Sequence, residues 1–155
     1  MDWIEFISTE ISKKNDIELR FNSPVPESRL IELKEQFGLT QLPFELEQFY
    51  RQTNGIDEYI YVEKIGEFIW SIDRVIETNK FNRNSPRYKD IYKSFDDLLF
   101  FSDAGNGDLF GFETLNGKFE RSDVYVWNHE NDSREWIAPN MKVFIEGWTN
   151  GFIKV

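Results

Sequence analysis

A short loop rich in carboxylates and glycines, Ser102-Asp-Ala-Gly-Asn-Gly-Asp108, is the strongest candidate for chemistry in this sequence. Its aspartates could ligate a calcium ion, and a glycine-rich loop could cradle a phosphate. A calcium loop of the EF-hand type that starts at Asp103 needs oxygen ligands at its third and fifth positions. Those positions hold Gly105 and Gly107, so the sequence does not fit such a site.

Phosphate binding, transition-metal binding and catalysis find little support in the residues present. The loop lacks the spacing and the lysine of a P-loop, and its two aspartates would repel a phosphate. The chain has one histidine, His129, and no cysteine, which excludes disulfides, thiolate zinc sites and a cysteine nucleophile. It has no Gly-x-Ser-x-Gly elbow, and with 28 Asp and Glu residues any chosen catalytic pair would be arbitrary. We therefore predict no catalytic residues, no metal site and no cofactor.

The same loop fits a turn between two strands. Asn106-Gly107 lies between two aromatic-rich runs, and this dipeptide is a strong signal for a β-hairpin. Gly105 adds freedom for a bulge or a wider loop. We predict a hairpin with Asp103 and Asp108 projecting from its tip as part of an acidic surface.

The formal net charge of −10 disfavours nucleic acid and anionic membranes as partners and favours a protein with a basic surface. A basic stretch with interleaved aromatic residues runs from Lys80 to Lys93, a combination that can bind single-stranded nucleic acid. Against this acidic background we interpret the stretch as a solvated loop beside a short helix. The N-terminus has no basic or apolar signal region, and no apolar run reaches the roughly 20 residues that span a bilayer. These features predict a soluble, cytoplasmic protein.

The order of the elements predicts an α+β fold. The 155 residues suit one domain, covering residues 1–155. Helical spacing of apolar residues predicts helices over 3–11, 26–37, 42–55 and from 141 to about 152. Alternation and β-forming residues predict strands over 59–65 and 68–72, separated at Gly66, and over 98–102, 109–114, 124–128 and 135–138. Asp73 is the predicted N-cap of a short helix over 74–80. N-terminal helices, a central, mostly antiparallel sheet and a C-terminal helix follow from this order.

Five segments follow one another along most of the chain, roughly from Pro26 to Phe152. They are Leu42-Pro-x-x-Leu-x-x-Phe-Tyr-x-x-Thr-Asn-Gly55, Ile69-Trp-Ser-Ile-Asp-Arg-Val-Ile-Glu-Thr-Asn79, Phe101-Ser-Asp-Ala-Gly-Asn-Gly-Asp-Leu-Phe-Gly-Phe112, Val124-Tyr-Val-Trp-Asn-His-Glu130 and the last helix around Phe144 and Trp148. In their order and spacing these segments resemble the SUKH superfamily of Smi/Knr-type domains.

This resemblance implies one α+β domain without catalytic machinery. Many bacterial members of the superfamily are immunity proteins that neutralise polymorphic toxins, often nucleases, and fungal relatives regulate cell-wall synthesis. The family offers no catalytic residues to carry over. The matching positions between Leu42 and Gly55 are, in physical terms, core and cap positions.

Charge and resemblance together predict an immunity protein that binds a cognate toxin with a basic surface, such as a nuclease, in the bacterial cytoplasm. It would neutralise the toxin by steric and electrostatic occlusion, and we expect a monomer or a weak homodimer. The predicted partner-binding residues are acids near strand ends and turns, which steer association, and aromatic residues, which supply contact energy. The acids are Asp57, Glu58, Asp103, Asp108, Glu130 and Asp132, and the aromatic residues are Tyr59, Tyr61, Trp127 and Trp136. Aromatic residues of this kind more often pack in the core.

Two other functions fit the same sequence. A non-catalytic regulatory adaptor of the cell-wall-regulator type would bind an endogenous protein and would be equally acidic. A hydrolase acting on a sugar or nucleotide would need a deep pocket that holds two carboxylates with separated pKa values.

Overall fold

The computed structural model describes residues 1–11 and 16–155. Six helices and seven strands lie in these ranges, which confirms the α+β class. In chain order they are α1 (Trp3–Ile11), β1 (Ile17–Phe21), α2 (Glu27–Gln36), α3 (Phe44–Tyr50), β2 (Ile56–Ile60), β3 (Glu63–Ile69), α4 (Ile72–Asn84), α5 (Pro86–Ile91), β4 (Leu98–Asp103), β5 (Leu109–Glu113), β6 (Val124–Trp127), β7 (Arg134–Ala138) and α6 (Met141–Thr149).

The three helices predicted in the first third of the chain are present, and the third is shorter than predicted. Asp2 caps α1 as expected, because its carboxylate accepts a hydrogen bond from the N–H of Glu5 at 2.9 Å. The helix predicted to reach Gly55 ends at Tyr50. Gly55 has a φ of 83° and leads into β2. A Cβ at Gly55 would lie 2.6 Å from the backbone nitrogen of Ser71, so the close passage of these two segments requires glycine.

The first sheet has the antiparallel order β1-β2-β3. β1 is an addition to the predicted strands, although Ile17, Leu19 and Phe21 alternate with charged residues as they do in a half-exposed strand. The predicted break at Gly66 is wrong: Gly66 lies inside β3, opposite Glu58. The chain instead turns at residues 61–62, because Ile60 pairs with Glu63.

The basic stretch predicted to be a loop is mostly helical. Ser71, rather than Asp73, caps α4, since its hydroxyl accepts a hydrogen bond from the N–H of Arg74 at 3.4 Å. This helix continues to Asn84 instead of ending near residue 80. Ser85 then caps α5 by accepting from the N–H of Tyr88 at 3.3 Å, and the proline that follows it is tolerated in the first turn of a helix.

The second sheet has the antiparallel order β4-β5-β6-β7, and its first two strands form the predicted hairpin. The two sheets meet where β3 ends beside β4. There the N–H of Trp70 donates to the carbonyl of Phe101 at 2.9 Å, and the hydroxyl of Ser102 donates to the carbonyl of Phe68 at 2.6 Å.

Helices cover the sheets through one cluster of buried apolar side chains. α1 and α3 contact α6, while α4 packs on β4. Asn79 fixes this last contact, because its buried amide pairs with both backbone groups of Phe100, at 2.8 Å to the carbonyl and 2.9 Å to the N–H. The second half of β4, from Phe100 to Ser102, is therefore fixed in position, which matters because the candidate site residue Asp103 comes directly after it.

Candidate functional site

The structure separates the ten candidate residues into two groups. The first lies on β2, in the turn after it and at the end of β4, and consists of Asp57, Glu58, Tyr59, Tyr61 and Asp103. The second lies in the loop between β4 and β5, on β6 and β7 and in the turn between those two strands, and consists of Asp108, Trp127, Glu130, Asp132 and Trp136. Trp136 is on β7, at the opposite edge of that sheet from β4.

Glu58 is the most unusual residue of the first group. It lies opposite Gly66, and one of its carboxylate oxygens is 3.4 Å from where a Cβ of residue 66 would be. The missing side chain of that glycine therefore leaves room for the carboxylate. Burial, together with the negative charge of Asp103, raises the pKa of Glu58 above its ordinary value. Within the described ranges, Glu58 has no ion-pair or side-chain hydrogen-bond partner.

Asp103, the second carboxylate, folds back onto the scaffold. One of its oxygens accepts hydrogen bonds from the indole N–H of Trp70 and from the guanidinium of Arg74, both at 2.9 Å. The other accepts from the N–H of Gly105 at 2.9 Å. Arg74 also stacks over the ring of Trp70, with 4.6 Å from its Cζ to the ring centroid. Asp103 is thus held in place beside Glu58, and we call these two residues the carboxylate pair.

Two other acids of β2 and β3, Asp57 and Glu67, share one lysine. Lys64 forms ion pairs with Asp57 at 2.9 Å and with Glu67 at 3.6 Å. Arg20, on β1, covers the ring of Tyr59, with 3.7 Å from its Cζ to the ring centroid. Asp57 and Tyr59 therefore already have partners inside the chain.

The turn between β2 and β3 exposes two large side chains, Tyr61 at 84% and Val62 at 85%. We call these two residues the hairpin tip. Ile65, on β3, is 50% exposed. Tyr61 has a φ of 56°, a conformation that favours glycine or asparagine in two-residue hairpin turns. The hairpin of β2 and β3 thus carries an apolar tip and an unpaired carboxylate.

Asp108 does not project from its hairpin, contrary to the prediction, because it is only 4% exposed. Its carboxylate lies 2.7 Å from Nδ1 of His129 and accepts a hydrogen bond from the N–H of the same residue at 3.2 Å. It also lines a cavity of about 160 Å³ together with Glu135. Ligand pockets usually measure about 300–1,000 Å³, so this cavity gives the hydrolase hypothesis no support.

Trp127 and Asp132 also form part of the scaffold. Trp127 is 3% exposed, and its indole N–H donates to Asp132 at 2.8 Å. Burial favours a raised pKa for Asp132, but hydrogen bonds from the N–H of Lys93, from Trp127 and from Arg134 outweigh it, so the pKa is lowered. Of the second group, Glu130 is exposed and Trp136 is 53% exposed.

Sequence reasoning missed two features of this surface, Val62 and the Arg74 contact to Asp103. Val62 favours strands, and nothing around it signals a turn. A sequence separation of 29 residues hides the pairing of Arg74 with Asp103, although the acids of the 102–108 loop mark that loop as a place to search.

Two properties of residues 1–11 and 16–155 bear on the kind of site. Within these ranges, no group of three or more His, Asp or Glu side chains is arranged to hold a metal ion. In the same ranges, no helix has the length and apolar character needed to cross a bilayer.

The family model of the SMI1 / KNR4 family (SUKH-1) matches residues 24–147, which is more than half of the chain. The chain belongs to the SMI1/KNR4 (SUKH-1) family. The match includes the hairpin of β2 and β3, α4, α5 and the second sheet, so both halves of the carboxylate pair lie inside the SUKH-1 region. A comparison with curated proteins finds no match.

Proposed function

We propose that this SUKH-1 protein is an immunity protein that binds a toxin domain with a basic surface and blocks it without catalysis. Its contact site is the hairpin of β2 and β3 together with the carboxylate pair. The observation that carries the proposal is Glu58, a half-buried carboxylate beside a second carboxylate, with no cation to balance it in the described part of the chain.

An unbalanced carboxylate of this kind favours a cationic partner. Partial burial removes water from Glu58, and Asp103 adds repulsion, so the ionised form is disfavoured in the free protein. A lysine or arginine from a partner would offset both effects at once. The net charge of −10 would also steer a basic protein toward the chain and raise its association rate.

The hairpin tip supplies the apolar part of the contact. A non-glycine residue with a left-handed φ costs about 1–3 kcal/mol, and such strain is concentrated at functional sites. Tyr61 adopts this conformation while 84% of the residue stays in solvent. Tyrosine is enriched among the residues that contribute most of the binding energy at protein interfaces, so this exposed ring is suited to contact a partner.

Occlusion follows from the chemistry of the proposed partner. A nuclease binds its substrate with lysines and arginines that contact phosphates. Carboxylates that pair with those cations would occupy the same positions and exclude the nucleic acid. No bond has to form or break, so the protein needs no catalytic group for this role.

Affinity capture with the full chain from its native cells tests the proposal. We expect a partner with a basic surface, encoded next to this protein, that arrests growth when expressed alone and is tolerated when the two are co-expressed. Glu58→Gln and Tyr61→Ala should each weaken the complex about tenfold or more. Glu77→Gln removes one negative charge from an exposed position on α4 and should leave affinity unchanged.

Three results would overturn the proposal. One is a captured partner that is strongly acidic, and another is a toxic partner whose growth arrest persists on co-expression. The third is a partner that is harmless on its own, which would favour the adaptor alternative. Raising the salt concentration from about 0.1 M to about 1 M shortens the Debye length from about 10 Å to about 3 Å. An affinity that stays constant over this range would contradict an electrostatic contribution to binding.

A further inference from the structure

The basic stretch of the sequence forms a half-open cavity of about 400 Å³. We call it the basic cavity; the lining residues that matter here are Asn82, Arg83, Tyr88, Lys89, Tyr92 and Lys93. The end of α4 forms one wall, and α5 with the segment after it forms the other. Its volume falls in the range of about 300–1,000 Å³ that is typical of small-molecule sites.

Two buried hydrogen-bond donors at this cavity have no acceptor in the described part of the chain. Asn82 is 4% exposed, and its Nδ2 makes no hydrogen bond. Arg83 donates from one terminal nitrogen to the carbonyl of Leu98 at 2.8 Å, but its Nε is unpaired. Burying a donor without an acceptor is unfavourable, so these groups favour a ligand that brings oxygen atoms.

The charge of the cavity is opposite to that of the chain. Arg83, Lys89 and Lys93 line it together with a single acid, Asp96. Burial lowers the pKa of Arg83, while the nearby charges of Asp96 and Asp97 act in the opposite direction. Three cations face Asp96 on the lining and Asp97 close by, so on a chain with a net charge of −10 this site keeps a small local excess of positive charge that attracts anions.

Hydrogen bonds from the second sheet hold the outer wall of the cavity in place. The guanidinium of Arg134 donates to the carbonyls of Lys93 at 2.8 Å and Ser94 at 2.6 Å. The N–H of Lys93 donates to Asp132 at 2.9 Å. Tyr92 donates from its hydroxyl to the carbonyl of His129 at 2.7 Å. A wall fixed in this way loses little freedom on binding, which favours affinity.

Two aromatic residues, Tyr88 and Tyr92, also line the cavity. The rings of Tyr88 and Tyr92 meet edge to face, with centroids 5.1 Å apart, and both rings pack against Phe95. Aromatic rings beside cations are the combination that binds nucleotide bases and their phosphates. Arginine in particular matches the oxygens of a phosphate.

We propose that the basic cavity binds a small molecule that carries a phosphate group and a planar ring, of about the size of a nucleoside monophosphate. Arg83, Lys89 and Lys93 hold the phosphate, Asn82 donates to an oxygen atom of the ligand, and the tyrosines contact the ring. The cavity shares no residue with the carboxylate pair or the hairpin tip, so this site and the toxin contact stand or fall separately.

Titration of the full chain with AMP, inorganic phosphate and adenosine, followed by amide NMR shifts at low salt, tests this proposal. We expect AMP to shift the resonances of cavity residues with saturation below about 1 mM, and to bind at least about tenfold more tightly than phosphate or adenosine. Lys93→Gln and Lys89→Gln change exposed residues, so both variants should fold, and each should weaken AMP binding several-fold. Lys80→Gln is the matched control, because Lys80 is exposed on α4 but does not line the cavity.

Asn82→Asp separates the buried donor from general electrostatic attraction. This substitution keeps the size of the side chain and replaces a donor with a carboxylate, so AMP binding should be lost while the circular dichroism spectrum is retained. The proposal is overturned if AMP gives no saturable shift, or if phosphate or adenosine binds as tightly as AMP. Equal effects of the Lys93→Gln and Lys80→Gln substitutions would overturn it as well.

Discussion

The carboxylate pair and the basic cavity each contain polar groups that the described part of the chain leaves without partners, and these groups are of opposite kinds. Glu58 is an acceptor without a donor, whereas Asn82 and Arg83 hold donors without an acceptor. Glu58 lies on the hairpin that carries the exposed, apolar tip. Asn82 and Arg83 lie at a cavity whose outer wall is held by hydrogen bonds from the second sheet.

This difference indicates which kind of partner would fit the carboxylate pair and which would fit the basic cavity. An exposed hairpin with an unpaired acid on its first strand fits a large partner that brings its own cations and its own surface. A half-open cavity with a fixed outer wall fits a small anion better than it fits a second protein. The same acidic chain can therefore have two recognition sites of opposite charge, because local geometry decides the potential at each.

The largest effect is expected from removing the aromatic support behind the basic cavity. Trp127 is buried, with ring centroids 5.0 Å from both Tyr92 and Phe95. Trp127→Ala should lower the free energy of unfolding by about 3–5 kcal/mol, measured by urea denaturation. At the hairpin tip, Tyr61→Ala should change it by no more than about 0.5 kcal/mol. Comparable losses in the two variants would show that the tip supports the fold and is not a free contact surface.

A smaller effect is expected from two glycines with the same backbone conformation and different surroundings. Gly55 has a φ of 83° and faces the backbone of residues 69–71, whereas Gly105 has a φ of 82° and open space within 4 Å of the point that a Cβ would occupy. Gly105→Ala should cost about 1 kcal/mol from backbone strain alone. Gly55→Ala should cost at least about twice as much, because the new methyl group also collides with main-chain atoms. Equal melting temperatures for the two variants would contradict the close passage at the base of the β2–β3 hairpin.

The smallest effect is expected from Glu58→Gln, which should raise the stability of the fold, whereas the substitutions above lower it. Its pKa is raised above 4.5 in the folded chain, so the native state holds the proton more tightly than the unfolded state does. Stability therefore falls as the pH rises from the unfolded pKa through the folded pKa, and the penalty is complete above that range. Glu58→Gln should raise the melting temperature at about pH 7 by up to about 3 °C, with the gain vanishing near pH 3.

The control for this prediction is Glu77→Gln, which should leave the melting temperature unchanged at both pH values. A Glu58→Gln variant that is less stable than the original at neutral pH would show that the carboxylate has a stabilising partner. A gain in stability together with a loss of partner binding would show that Glu58 serves partner contact at the expense of stability.

Local signals account for most of the elements that the sequence predicts. The Asp2 cap, the apolar spacing of α2 and α6 and the Asn106-Gly107 turn are all present. The turn at Tyr61 and Val62 escapes prediction because both residue types favour strands, and only the pairing of β2 with β3 forces the bend. Pro86 is a misleading loop signal, because the same residue can begin a helix.

The candidate site is harder to predict than the fold, because it depends on distant pairings. Asp103 and Asp108 look alike in the sequence, yet one is held by Trp70 and Arg74 and the other is buried against His129. Single-sequence patterns contain no information about such partners. The basic cavity is hidden for the same reason, since its walls come from α4, α5 and a segment that β7 fixes through Arg134.

The hairpin tip has an evolutionary consequence. Tyr61 and Val62 are mostly exposed, so residues that tolerate the backbone of this turn could replace them without disturbing the packing beneath. Trp70 and Arg74, which position Asp103, have no such freedom. If the tip contacts a partner as proposed, the protein could adapt to a changed partner through substitutions at these two positions while the supporting fold stays the same.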